Sequence, residues 1–200
     1  MSVSAKLAVI NTQGEVWARD LSGNNVGPGV KLTGPLLFGG PDDQFVISSL
    51  NLIAVITTSG AYWPRTVHDT TIDAATRIPG SLFGGPDAKY VLDGGNTNLV
   101  FVVNKKGEVW LHVISSGGVG TGQKLNGPSL FGGPNDKYVA YDDFGYPSIL
   151  VINTQGEVWA HDLSGGSGGV INTVGAGYKL NGPALFGTPN DKYVIAYPVS

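Results

Sequence analysis

Cysteine is absent from the 200-residue chain, which excludes disulfides and thiolate metal sites. Charge is scarce: Asp, Glu, Lys and Arg make up 14% of the residues, and the formal net charge is −3. The basic residues are scattered, without the stripe that a nucleic-acid binder presents. No apolar run approaches the roughly 18 residues that a membrane span needs. The N-terminus, MSVSAKLAVINTQG, lacks the basic start and long apolar run of a signal peptide. The expected location is cytoplasmic or reached by non-classical secretion. No segment carries a 3.6-residue period, so almost no helix is expected.

What the chain does have is glycine, 31 residues, together with 12 prolines and 42% hydrophobic content. That combination predicts many turns between short strands around a sizeable core, hence an all-β fold. It also has repetition. INTQGEVWARDLSG, beginning at Ile10, returns as INTQGEVWAHDLSG at Ile152, with Arg19 exchanged for His161. All four tryptophans sit in a Gly-x-x-Trp motif, at Trp17, Trp63, Trp110 and Trp159, spaced by 46, 47 and 49 residues. A second motif follows each: LLFGGPDDQFV, SLFGGPDAKYV, SLFGGPNDKYV and ALFGTPNDKYV. It aligns Phe38, Phe83, Phe131 and Phe186, then Pro41, Pro86, Pro134 and Pro189, then Phe45, Tyr90, Tyr138 and Tyr193. Four repeats, about 5–49, 50–96, 97–147 and 148–200, use the whole chain as one domain. The period of about 48 residues is that of a four-stranded propeller blade.

Each repeat reads as strands. LAVI, LIAVI, LVFVV and ILVI are short continuous apolar runs, as expected of strands buried on both faces. Each ends in a tight turn closed by Gly (NTQG, TTSG, NKKG, NTQG), and the Gly-x-x-Trp strand follows. The KLTGPLLFG segment and its counterparts carry a proline, which confines them to a sheet edge. The KYV strand is then expected to begin the next sheet, on its innermost side. On this order KLAVINTQ pairs with DKYVIAYPVS at the C-terminus. The predicted architecture is a four-bladed β-propeller of four-stranded antiparallel blades, its ring closed by pairing of the N- and C-terminal strands.

The run NLVFVVNKKGEVWLHV resembles the middle strands of bacterial and fungal propeller lectins, where an apolar strand, a Gly turn and a Gly-x-x-Trp strand recur in every blade. The resemblance covers about a third of the chain. It implies propeller architecture and carbohydrate binding. Those lectins usually have five to seven blades, and their outer strand commonly carries a further Trp where this chain has LxGPxLFGG. A four-bladed closure resembles instead the hemopexin-like fold, whose repeat is similar only in the KYV segment.

On the Trp strand, residues two apart share a face. Trp17/Arg19, Trp63/Arg65, Trp110/His112 and Trp159/His161 therefore set an indole beside a nitrogen-bearing side chain in every repeat. A pyranose can stack its C–H face on the indole while Arg or His reaches a hydroxyl. These eight residues are the candidate ligand-binding set. Two other uses stay open: the indoles as packing between blades, and the Arg and His residues as solvated rim positions. Gly39–Asp42, Gly84–Asp87 and Gly132–Asn135, with Thr188 in the fourth copy, read as turns between blades. Lys89, Lys137 and Lys192, with Gln44 breaking the set, can ring a channel mouth.

Catalysis is not expected. His68, His112 and His161 have no zinc-binding spacing, there is no nucleophile elbow, and no cofactor is implied. Carboxylates assembled from different blades would escape a sequence reading. The fourth repeat carries an insertion, SGGSGGVINTVGAGYK, that lengthens the Trp-to-Phe spacing to 27 from 20 or 21. It reads as a surface loop. The second repeat diverges most, with Pro64 directly after its Trp, so competent sites are expected in the first, third and fourth. The leading expectation is a lectin-like module with repeated weak sites for glycans or glycoconjugates. Nucleic acid and membrane are not expected as partners, and an oligomer is compatible. The alternative is a hemopexin-like module binding one ligand, ion or protein at its channel or face.

Overall fold

The computed structural model describes residues 5–10, 14–22, 25–26, 28–37, 44–47, 52–68, 70–82, 87–92, 98–130, 133, 135–143, 146–165 and 170–181. Among these residues every regular element is a strand, as the glycine-rich, aperiodic sequence predicts. The strands form four antiparallel sheets, one for each repeat.

The first sheet joins β1 (Ala5–Ile10), β2 (Val16–Ser22), β3 (Asn25–Val26) and β4 (Val30–Lys31). The second orders β5 (Gln44–Ile47), β6 (Leu52–Ile56) and β7 (Tyr62–Thr66). The third runs β8 (Lys89–Leu92), β9 (Leu99–Val103) and β10 (Val109–Ser115), then β11 (Gly118–Val119) and β12 (Gln123–Lys124). The fourth repeats that order with β13 (Lys137–Asp143), β14 (Tyr146–Ile152), β15 (Val158–Gly165), β16 (Ile171–Val174) and β17 (Tyr178–Lys179). The KYV segments thus open the third and fourth sheets, and β5, β8 and β13 lie beside one another. The Gln44 side-chain amide donates to the Ala88 carbonyl, bridging from β5 to the start of β8. The segment 191–200, expected to pair with β1, lies outside the described residues. So do Phe38, Phe83, Phe131 and Phe186, the four aligned prolines, Tyr193, Lys192 and most of the Gly-Gly-Pro turns.

The apolar runs are buried on both faces because alternate residues serve different neighbours. In β9, Phe101 and Val103 pack with Ala140, Ile149, Val151 and Leu163 of the fourth sheet. Val100 and Val102 pack the other way, with Val46, Ala54, Ile56 and Tyr62 of the second. Val16, Leu32 and Leu37 meet Ile53, Val55 and Ile72 between the first two sheets. Each sheet is thus clamped face-on by the next in chain order.

Where one continuous outer strand was expected, the structure has two short ones, each pairing with the Trp strand. In the third sheet Ile114 faces Val119 and Trp110 faces Lys124. The Gly-Pro pair comes after the second piece and has a different task. The residue preceding that glycine, or preceding Gly80 of the second repeat where Ser81 replaces the proline, hydrogen-bonds into the next repeat: Thr33 O accepts from Ile72 N (2.9 Å), Pro79 O from Val119 N (2.7 Å) and Asn126 O from Val174 N (2.7 Å). A Cβ on Gly127, where φ is +124°, would stand 2.1 Å from the Val174 carbonyl oxygen. Only glycine lets the two backbones approach this closely.

The tight turns use the same device. Asn104 Oδ1 accepts from Lys106 N (2.9 Å) and Glu108 N (3.0 Å), and Gly107 closes the turn at φ +76°. The Gly107 carbonyl then accepts from Leu130 N (2.7 Å), docking Leu130 onto the turn. Gly107→Ala brings left-handed strain and places a Cβ 2.4 Å from the Leu130 carbonyl oxygen. The expected loss, read from urea unfolding midpoints, is about 2 kcal/mol or more. Gly133→Ala, whose Cβ would meet only Asp136 Oδ1 at 3.6 Å, is the control and should be close to neutral.

Candidate functional site

The face that carries the Trp and the slot two residues later looks toward the preceding sheet. Trp110 packs against the cluster shared by the second and third sheets, alongside Ile114. Trp63 and Val67 pack against the cluster between the first and second. Leu163, which shares the face of Trp159 and His161, joins the cluster between the third and fourth. The four indoles are not equally covered. Trp17, Trp63 and Trp110 are half-buried, whereas Trp159 is 37% exposed.

The slot residues are less available than a rim position would make them. His112 is 2% exposed and His161 9%. His112 Nδ1 donates to the Gly120 carbonyl (2.9 Å), and His161 Nδ1 donates to the Gly175 carbonyl (3.1 Å). A carbonyl can only accept, so each ring carries its proton on Nδ1. Arg65 reaches the equivalent carbonyl, Asp73 O, at 3.4 Å through Nη1, and Leu36 O in the first repeat at 3.3 Å through Nη2. One slot, filled by His or by Arg, thus fastens the same point of the outer strand in three repeats. The backbone of Arg19 lies in β2, and its side chain is outside the described set.

A second glycine motif accompanies both histidines and recurs in the first repeat, whose slot residue is Arg19. A Cβ on Gly122 would stand 2.6 Å from His112 Nε2, and one on Gly177 would stand 2.5 Å from His161 Cε1. Gly120-x-Gly122 and Gly175-x-Gly177 thus make room for imidazole rings. The second repeat, with Arg65, has Asp73-Ala74-Ala75 instead. This signal was present in the sequence, as Gly-x-Gly-x-Lys-Leu in the first, third and fourth copies.

The same motif supplies residues that a search around the tryptophans missed. Lys124 Nζ pairs with Glu108 Oε1 at 2.6 Å, and Lys179 Nζ with Glu157 Oε1 at 2.6 Å. Lys31 pairs with Glu15 in the same way. Asn104 and Asn153 donate to the second carboxylate oxygens of Glu108 and Glu157, at 2.7 and 2.8 Å. Both carboxyls are held below the usual glutamate range, chiefly by the Lys and then the Asn hydrogen bond, and the Trp159 indole adds another to Glu157. Each Glu lies two residues before its Trp, on the same face.

Elsewhere the candidates disperse. Lys89 and Lys137 begin neighbouring strands and are half-buried. His68 pairs with Asp73 at 3.2 Å on the surface. Among the described residues no cluster of three or more His, Asp or Glu side chains could hold a metal ion, and no helix is long and apolar enough to cross a membrane.

No known protein family matches the sequence, and no curated protein does either. Among solved structures, the chain is similar to AofleA from Arthrobotrys oligospora, at 14% identity over 96% of this chain and 56% of that one, with a TM-score of 0.48. It is also similar to the WD40 domain of SCAP from fission yeast, at 9% identity over 88% and 48% of the two chains, with a TM-score of 0.36. The chain spans about half the length of these structures.

Burial pushes the His112 imidazole below the ordinary histidine value of 6.5. The unfolded chain therefore takes up this proton more readily than the folded one, and acid favours unfolding. Stability contributed at neutral pH should begin to fall as pH drops below 6.5 and keep falling to the folded-state pKa. Urea midpoints for wild type and His112→Gln, measured from pH 7.5 to 5, should diverge, with the variant lacking this part of the acid sensitivity.

Proposed function

We propose that the chain is a non-catalytic, lectin-like module: a closed four-bladed propeller that presents its Trp faces to glycans or glycoconjugates at several weak sites. The observation that carries the reading is the recurrence, on one sheet face, of an indole in a fixed polar setting. Trp17, Trp63, Trp110 and Trp159 are the stacking platforms in this reading. Arg65, His112 and His161 shape the platform by anchoring the outer strand beside it, and Arg19 is the residue at the same position of the first repeat. Repeated polar settings favour several equivalent sites over one asymmetric catalytic centre. Several weak sites on one rigid body gain avidity without new contacts.

Ring closure is supported by the connectors between sheets. Thr33, Pro79 and Asn126 each give a carbonyl to the segment of the next repeat that pairs with the end of its Trp strand. The corresponding residue of the fourth repeat is Asn181, and the residue in the first that corresponds to Val119 and Val174 is Val26. Closure pairs the Asn181 carbonyl with the Val26 amide and the segment 191–200 with β1. The chain lacks cysteine, so Ser2→Cys/Ser200→Cys takes a label pair without background. A short, narrow distance distribution between the labels is expected, and a long one indicates an open array.

On a glycan array the wild-type chain should give a selective binding pattern, and Trp159→Ala or Trp110→Ala should weaken it several-fold, as loss of one site from a multivalent set does. An empty array, or a pattern indifferent to both substitutions, counts against the lectin-like reading. A single ligand per chain would favour a hemopexin-like channel site.

A further inference from the structure

We propose that three of the four repeats carry a complete saccharide site, each formed by a Trp and a cross-strand Glu–Lys pair, and that the ligand is a neutral pyranose. The proposal rests on the lectin-like reading above.

The register brings the groups together. Trp110 stands opposite Lys124, Trp159 opposite Lys179 and Trp17 opposite Lys31. Directly opposed residues of an antiparallel pair share a face, with Cβ atoms about 5 Å apart. Glu108 and Glu157 join that face from two residues upstream, so each site holds an indole, a carboxylate and an ammonium side by side.

The chemistry then favours one class of ligand. The carboxylate is tied down on both oxygens, by Lys on one and Asn on the other in the third and fourth repeats. The Lys side chains remain about half exposed, at 49%, 52% and 50% for Lys31, Lys124 and Lys179. An ammonium has three donors, and one is committed to the glutamate. The others are free to meet ring or hydroxyl oxygens of a sugar whose C–H face lies on the indole. The pair is neutral as a unit. An acidic sugar would find its charge already answered and would set its carboxylate beside that of the glutamate.

The second repeat cannot build this site. It has Ala61 where the others have Glu, and Arg77 where they have Lys. Thr57 replaces the turn asparagine, and its Oγ1 accepts from Ala61 N (3.1 Å). Trp63, which packs against the cluster between the first and second sheets, is left without the Glu–Lys pair that completes the other three sites.

Calorimetry of the full chain at high concentration, against neutral methyl hexopyranosides and the corresponding methyl uronates, tests this. Three equivalents of a neutral glycoside per chain are expected, with uronates at least tenfold weaker. Glu157→Gln and Lys179→Ala should each reduce three equivalents to two, with thermal unfolding still cooperative, while Lys179→Arg keeps three. Four equivalents, uronates binding as well as neutral sugars, or a stoichiometry indifferent to both substitutions would overturn the proposal and leave the lectin-like reading standing. No saccharide binding at all would overturn that reading and this proposal together.

Discussion

A strand such as Leu99–Val103, apolar on both faces, is stable only between two other sheets. That requirement governs the molecule. Val100 and Val102 are satisfied by the second sheet, Phe101 and Val103 by the fourth, and the same division recurs at the other interfaces. Burial of one such side chain is worth about 1.5–3 kcal/mol. No single sheet can gather enough of them to offset the entropy of ordering its own residues. The repeats therefore fold as a set, and glycine is what brings them close enough. At the turn and at the connector to the next sheet, a Cβ would collide with a carbonyl that the hydrogen bonding has already positioned.

Much of this organisation could be read in the chain itself. The apolar runs and the turn glycines carry their meaning within five or six residues, where local chemistry decides, and the Trp spacing shows them returning four times. The described strands of the KYV motif, β5, β8 and β13, also fell where the order of motifs put them. The outer strand did not. Two-residue pieces such as Gly118–Val119 and Gln123–Lys124 carry no alternation to detect. The Gly-Pro motif reads as an edge breaker when its glycine in fact serves the contact with the neighbouring sheet.

The candidate site was half legible. The indoles and the slot after them were visible, but the burial of His112 was not, because histidine is equally at home in water. The clue was the second glycine of Gly-x-Gly, which becomes meaningful only once the outer strand is laid across the Trp strand. The Glu–Lys pairs were hidden for a related reason. Their partners are 16 residues apart in one repeat and 22 in another, and only the strand register shows that these are the same contact.

The division of the outer strand has an evolutionary side. Because the outer strand is pinned at two points, by apolar contact at one end and by imidazole, lysine and carboxylate at the other, the chain that leads into it from the Trp strand is free to lengthen: Ile114 and its partner Val119 are close in sequence, while Leu163 and Val174 are further apart. The fourth repeat does so, and Trp159 still faces Lys179 as Trp110 faces Lys124. New sequence can thus be grafted at the periphery of one repeat without shifting the register of the strands within, a natural place for such a protein to acquire a loop of its own.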